Sequence, residues 1–288
     1  STIRRRLRHW STSRVTHSPP PQPEALTSTR SPTVARLRRL HERKGRKSAG
    51  AFLAEGPDCV RAAVTAGWAT MVLATHDQEP LDWARASGVQ VTLALPKVVD
   101  AASDTTSPQG ILAECTLPRS DLGAVLAAPG PVVVCDRIAD PGNLGTIIRT
   151  AEAVGAAGVI TTEGSVDPWN PKSVRASAGS SFRLPIAADR PISDVLSAAG
   201  DAQRWSVALA GSASMSVLQG IEDARVRGFS PDRLVWVVGA EAHGVSTVAR
   251  EGVDATAHLP MRPEVESLNA AVSVAVCLYA AQWAGEKS

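Results

Sequence analysis

The chain has 288 residues, 44% hydrophobic and 20% charged, a size and balance that suit two modest cores and exclude a disordered or fibrous protein. Its formal net charge of +2 conceals an asymmetry: residues 1–50 hold thirteen Lys and Arg against two acids, Glu24 and Glu42, and the rest holds 17 basic and 26 acidic residues. A basic arm on an acidic body points to a polyanionic partner such as nucleic acid.

No apolar run is long enough to span a bilayer, because residues 268–281, the richest stretch, are few and broken by Asn269 and Ser273. The opening STIRRRLRHW has no apolar core behind its charges, so export is not expected and a cytoplasmic location is. Four cysteines, Cys59, Cys115, Cys135 and Cys277, stand far apart without a CxxC or Cys/His spacing. They read as reduced, buried thiols, and no metal site is expected.

Residues 1–30, rich in Arg, Ser, Thr and Pro, read as a basic, disordered tail. The lack of acids before Glu24 fits a transit peptide, an RNA-touching arm or an expression remnant. Residues 31–118 read as a small α/β unit. Within it, residues 34–47 place Leu37 and Leu40 among Arg36, Arg38, Arg39, Arg43, Lys44, Arg46 and Lys47. That pattern predicts one basic helix with a thin apolar stripe, either laid along phosphates or a plain solvated face. Strands are expected at 51–54, 70–74, 89–93 and 110–116, with helices at 57–66 and 81–87. Residues 119–130, ending in Ala127-Ala128-Pro129-Gly130, read as a linker.

Residues 131–288 alternate strand and helix signals. Apolar runs at 132–135, 158–161, 205–209, 234–238 and 255–259, with a weaker one at 183–186, are separated by helices near 143–154, 171–178, 191–199 and 245–251. This predicts a parallel sheet covered on both faces, whose ligands bind beyond the carboxyl ends of the strands. Three loops there are unusual. DRIADPGNLGTIIRTA (136–151) makes a turn, offers Asn143 as a helix cap, and carries Arg149 outside the helix's apolar stripe. VVGAEAHGVS (237–246) places Glu241 between Gly239 and Gly244, yet no GxGxxG or GxxxxGK[ST] occurs, against a dinucleotide fold or a P-loop. LPMRPEVESLNAAVSVAVCLYAA (259–281) leads through Pro260 and Pro263 to Ser267-Leu268-Asn269 at the tip of a helix so apolar that its own unit or a second copy must bury it.

Together, in this order and spacing, these loops resemble the three motifs of the TrmH/SpoU branch of the SPOUT superfamily, ribose 2′-O-methyltransferases acting on RNA. The connecting segment 166–186 resembles that family too, and 52–68 and 107–115 look like the substrate-binding domain that ribosomal-RNA members carry in front. The resemblance covers residues 31–283. It implies a trefoil-knotted parallel-sheet catalytic domain at 131–288, an RNA substrate-binding α/β domain at 31–118, and a homodimer formed through the C-terminal domain. It further implies S-adenosylmethionine bound by Leu209, Ala210, Gly211, Gly239, Glu241, Leu259, Met261 and Leu268. Asn143, Arg149, Glu241, Ser267 and Asn269 match the family's catalytic positions, Arg149 being its proposed proton acceptor. A guanidinium that stays charged is an awkward base, so orienting phosphate and stabilising the alkoxide is the sounder role. RNA contacts are expected from Arg36, Arg38, Arg39, Arg43, Lys44, Lys172 and Arg175, and the N-terminal unit favours 23S ribosomal RNA. The alternatives are a transfer-RNA ribose methyltransferase and a catalytically silent RNA-binding or ribosome-assembly factor of the same fold.

Overall fold

The computed structural model describes residues 25–76, 81–119, 121–240, 243–265 and 267–286. The first unit runs α1 (Pro32–Arg39), α2 (Arg43–Ala49), β1 (Ala51–Glu55), α3 (Pro57–Thr65), β2 (Ala69–Ala74), α4 (Asp82–Ala86), β3 (Gln90–Leu93), α5 (Pro96–Ala102) and β4 (Ile111–Thr116). Its four-stranded sheet has the order β1-β4-β2-β3, with β4 antiparallel to both neighbours and β2 parallel to β3. One face packs Val34, Leu37 and Leu40 with Leu53, Leu73, Val98 and Leu112. The other face turns Phe52, Val60 and Ala63 toward the second unit.

The single basic helix expected over 34–47 is two helices. Ser31 caps α1, its Oγ accepting from the Val34 N–H, and Pro32 occupies the first turn. The break at Leu40–Glu42 follows from Arg46, which is 1% exposed and donates from Nη1 to the carbonyls of Leu40 and His41 at 2.9 and 2.8 Å. A buried guanidinium thus closes the turn. The expected linker is also structured: α6 (Leu122–Ala127) is capped by Asp121 and buries Val125 and Leu126. Arg204, 2% exposed, donates to the carbonyls of Leu126, Ala128, Gly130 and Asp232, fastening that segment to the second unit.

The second unit continues β5 (Val132–Asp136), α7 (Pro141–Ala153), β6 (Gly158–Thr162), α8 (Pro171–Ala176), β7 (Ile186–Arg190), α9 (Ile192–Asp201), β8 (Trp205–Leu209), α10 (Val217–Val226), β9 (Leu234–Gly239), α11 (Thr247–Gly252), β10 (Ala255–Ala257) and α12 (Ala270–Glu286). All six strands pair in parallel, in the order β10-β8-β9-β5-β6-β7. The central β5 and β9 are buried along their whole length, as their unbroken apolar sequences require. The weak strand expected at 183–186 is displaced: Ser180–Phe182 form a 3-10 turn and the strand begins at Ile186.

The units share a core. The Phe52 ring lies 4.9 Å from that of Trp169 and 5.8 Å from that of Phe182, and Trp68 joins the cluster. Two ion pairs flank it: Arg46 donates to Asp167 at 2.6 Å, and Arg175 to Glu55, itself 5% exposed, at 2.9 Å. Both guanidinium groups join the two units: Arg46, inside the stretch expected as one basic helix, is buried and closed to phosphate, and Arg175, expected as a phosphate contact, commits Nη1 to Glu55 with its side chain 32% exposed. Among the described residues no helix is long and apolar enough to cross a membrane.

Candidate active site

The carboxyl ends of β8, β9 and β10 open into a cleft of about 220 Å³. Leu209, Ala210 and Gly211 line it from the first strand, Gly239 from the second, Leu259 and Met261 from the third, and Ser267 and Leu268 from the approach to α12. Three separate segments thus converge on one cavity. Close backbone packing shapes it: a Cβ on Gly239 would fall 2.0 Å from the carbonyl of Gly244, so only glycine admits the fold-back that brings Ala240 and Gly244 into a bridge. A Cβ on Gly211, by contrast, would meet nothing within 4 Å. Glu241 lies outside the described residues.

Next to the cleft stand the polar tips of the first and third loops. Asp140 caps α7, accepting from the Asn143 N–H at 2.7 Å, and that bond, with Lys172 nearby, holds its carboxyl below the usual range. Asn143, expected as the cap, sits instead inside the first turn, where its Oδ1 accepts from Asn269 Nδ2 at 2.9 Å. Asn269 also caps α12, its Oδ1 accepting from the Ala271 and Val272 N–H groups. One amide pair therefore ties the two loops together. Arg149 lies on the exposed side of α7, away from the cleft lining, and its guanidinium makes no hydrogen bond or ion pair among the described residues. Lys172 Nζ stands 3.6 Å from Asp140 at the same end of α7.

One residue unread in the sequence organises this region. Asp136, 1% exposed at the end of β5, accepts from Thr162 Oγ1 at 3.1 Å and from the Ser246 N–H at 2.5 Å. It anchors the loop that follows Gly239 to the strand that precedes Asn143. An acid ending an otherwise apolar strand was the available signal.

Two family descriptions match the chain: the SpoU rRNA Methylase family over residues 130–279 and the MRM3-like substrate binding domain over residues 31–113. The chain belongs to the SpoU rRNA methylase family. Relatives match most of its length: an uncharacterized tRNA/rRNA methyltransferase of Synechocystis is 32% identical over 90% of this chain and 95% of its own. The 23S rRNA (guanosine(2553)-2′-O)-methyltransferase RlmP of Bacillus subtilis is 29% identical over 88% of this chain and 97% of its own. Among solved structures, an AdoMet-bound rRNA methyltransferase from Sinorhizobium meliloti superposes with a TM-score of 0.78, at 28% identity, covering 91% of this chain and 98% of that one. As a SpoU methylase, this protein is a methyltransferase that uses S-adenosylmethionine.

The cleft suits that cofactor. Its walls are mostly Gly, Ala, Leu, Val and Met, with Ser267, Ser273 and His258 as polar side chains, a lining that can meet an adenine's edge and faces. His258, also on the wall, has a buried Nδ1 with no partner among the described residues, a polar atom that a polar ligand would satisfy. No Cys, Asp or Glu lines the cleft among the described residues. All four cysteines are free and buried, and burial raises their thiols, Cys59 to about 11 and Cys135 to about 12, so none is poised as a nucleophile.

Proposed function

We propose that this chain methylates a ribose 2′-oxygen of 23S ribosomal RNA in the cytoplasm. The observation that carries the reading is the Asn143–Asn269 amide pair, which joins the first and third motif loops beside a cleft lined by the second and third motif loops and the loop after β8. The resemblance of RlmP to this chain along almost its whole length supports the RNA and the atom modified. S-adenosylmethionine, when bound, supplies a methyl group already activated on a sulfonium. What remains for the protein is to align the ribose oxygen and manage its proton. Arg149 presents an uncommitted guanidinium fork that orients an RNA phosphate and stabilises negative charge developing on the 2′-oxygen. Asn143, Ser267 and Asn269 position the ribose and the loops, and Glu241 holds loop geometry or a substrate group.

The reading includes a trefoil knot around these loops and a homodimer. An apolar groove of about 460 Å³ runs along α12, lined by Leu218, Val276, Tyr279 and Trp283, and Leu259 belongs to both this groove and the cofactor cleft. A second copy seated on it buries side chains that a single chain leaves up to 68% exposed, and it abuts the cleft wall. Substrate contacts from both subunits account for Arg149 standing off the cleft of its own chain. The first unit supplies phosphate contacts through Arg38, Arg39 and Lys44, which are exposed and make no ion pair among the described residues. Arg36 and Arg43 pair with Glu114 and Asp189, yet their side chains remain 53% and 42% exposed.

The test is transfer of labelled methyl from S-adenosylmethionine into 23S ribosomal RNA, followed by mapping. The expected product is one nucleotide whose 3′ linkage resists alkaline cleavage. Label on a base, or no incorporation, overturns the proposal.

A further inference from the structure

We propose that Arg137 is an RNA-contacting residue that grips backbone phosphate between the methyl-donor cleft and the basic helix α2. The proposal rests on the ribosomal-RNA reading above. Arg137 directly follows Asp136, the β5 residue paired with Gly239 of the cleft, and its own N–H donates to Thr162 Oγ1 at the end of β6 at 3.0 Å. It therefore stands on the carboxyl edge of the sheet, one strand from the cleft.

Its backbone is in the left-handed region, with φ +57, a conformation that glycine adopts freely and a large L side chain does not. The fold at this position would accept glycine, so the arginine is there for its side chain. That side chain runs across Gly164, its Cγ 3.4 Å from where a Cβ on that glycine would lie. The guanidinium is only loosely engaged. Arg137 Nε is 3.9 Å from Asp136 Oδ1, beyond hydrogen-bond distance, and the side chain is 48% exposed. Asp136 already accepts from Thr162 and Ser246, and Arg137's side chain makes no hydrogen bond among the described residues. Its donors are therefore available to an outside acceptor.

The far end of the same edge fixes the direction. Asp189, near the end of β7 and also left-handed at φ +60, holds Arg43 at 2.8 Å and Lys47 at 3.2 Å. This pins α2 of the first unit two strands from β5, roughly 10 Å at the usual strand spacing. An RNA backbone passing from α2 to the cleft crosses Arg137, whose planar fork matches a phosphate.

The experiment compares the full-length parent with Arg137→Gly and Arg137→Lys, using a 23S ribosomal RNA transcript as probe across a salt series. S-adenosylhomocysteine affinity and Tm are measured alongside. For Arg137→Gly the expected result is a Tm equal to or above the parent's, unchanged S-adenosylhomocysteine affinity and roughly tenfold weaker RNA binding, with a salt slope shallower by about one. Arg137→Lys should lie between the two. Parent-like RNA binding and turnover in Arg137→Gly overturns the proposal. So does a joint fall in Tm, cofactor affinity and RNA affinity, which marks a structural role. Parent turnover on the same transcript separates the two readings: a parent that methylates RNA and an unaffected glycine variant sink this proposal alone, and a parent that binds no RNA sinks both.

Discussion

Asn269 does two jobs that substitution can separate. Its Oδ1 caps α12, and its Nδ2 donates to Asn143. Asn269→Asp keeps the capping oxygens and loses the donor, so Tm should stay near the parent's as methyl transfer falls. Asn269→Ala loses both, and about 1 kcal/mol of stability should go with the cap. Thermal melts and turnover measured on both variants check this; equal losses of stability in the two would contradict the separation. Asn143 and Asn269 were legible as residues because polar side chains at helix tips beyond an apolar sheet are conspicuous. Their bond was not, since 126 residues separate them. Asp136 and Arg46 were illegible for the same reason: each makes sense only beside a partner more than a hundred positions away, Ser246 for one and Asp167 for the other.

Helix α12 shows what element-scale reading can reach. Its Ala/Val-rich sequence requires burial on nearly every side, and the chain itself covers only one face, with Val274, Cys277, Leu278 and Ala281 inside. Val272, Val276, Tyr279 and Trp283 stay outside at 36–58% exposure. Val276→Asp places a charge in that groove and should convert the proposed dimer to a monomer in sedimentation equilibrium, with loss of methyl transfer; an unchanged dimer mass would remove the groove from the interface, and a monomeric parent would remove the dimer. The strand and helix alternation of 131–288 was legible because each buried strand is a short, continuous apolar run. Two elements escaped for identifiable reasons. The α1–α2 break is hidden because a basic residue, Arg46, serves as core, and α6 because Pro129-Gly130 dominates a segment whose Val125 and Leu126 face inward. Helix α10 also went unread, although a capping box of Ser216 and Gln219 marks its start.

At the scale of the whole molecule, the two units behave as one platform. Removing a partner from a buried ion pair costs about 3–5 kcal/mol, whereas an exposed pair such as Arg85–Asp82 contributes about 0–1 kcal/mol. The Arg46–Asp167 pair, with side chains 2% and 13% exposed, therefore matters far more to unit docking than surface pairs do. With the Phe52, Trp68, Trp169 and Phe182 cluster, it sets the basic first unit at a fixed distance from the cleft. The charge asymmetry in the sequence thereby acquires a geometry, in which the cationic α2 stands beside the carboxyl edge of the sheet where Arg137 and the start of α7 lie. On the proposed mechanism an uncommitted arginine on α7 serves the transfer step, and cofactor binding is left to the loops after β8, β9 and β10. Arg149→Ala tests it most directly, with S-adenosylhomocysteine affinity by calorimetry and turnover on 23S ribosomal RNA measured on the same preparation. Parent-like affinity with turnover reduced about 10²–10³-fold is expected; near-parent turnover would show that methyl transfer does not depend on Arg149.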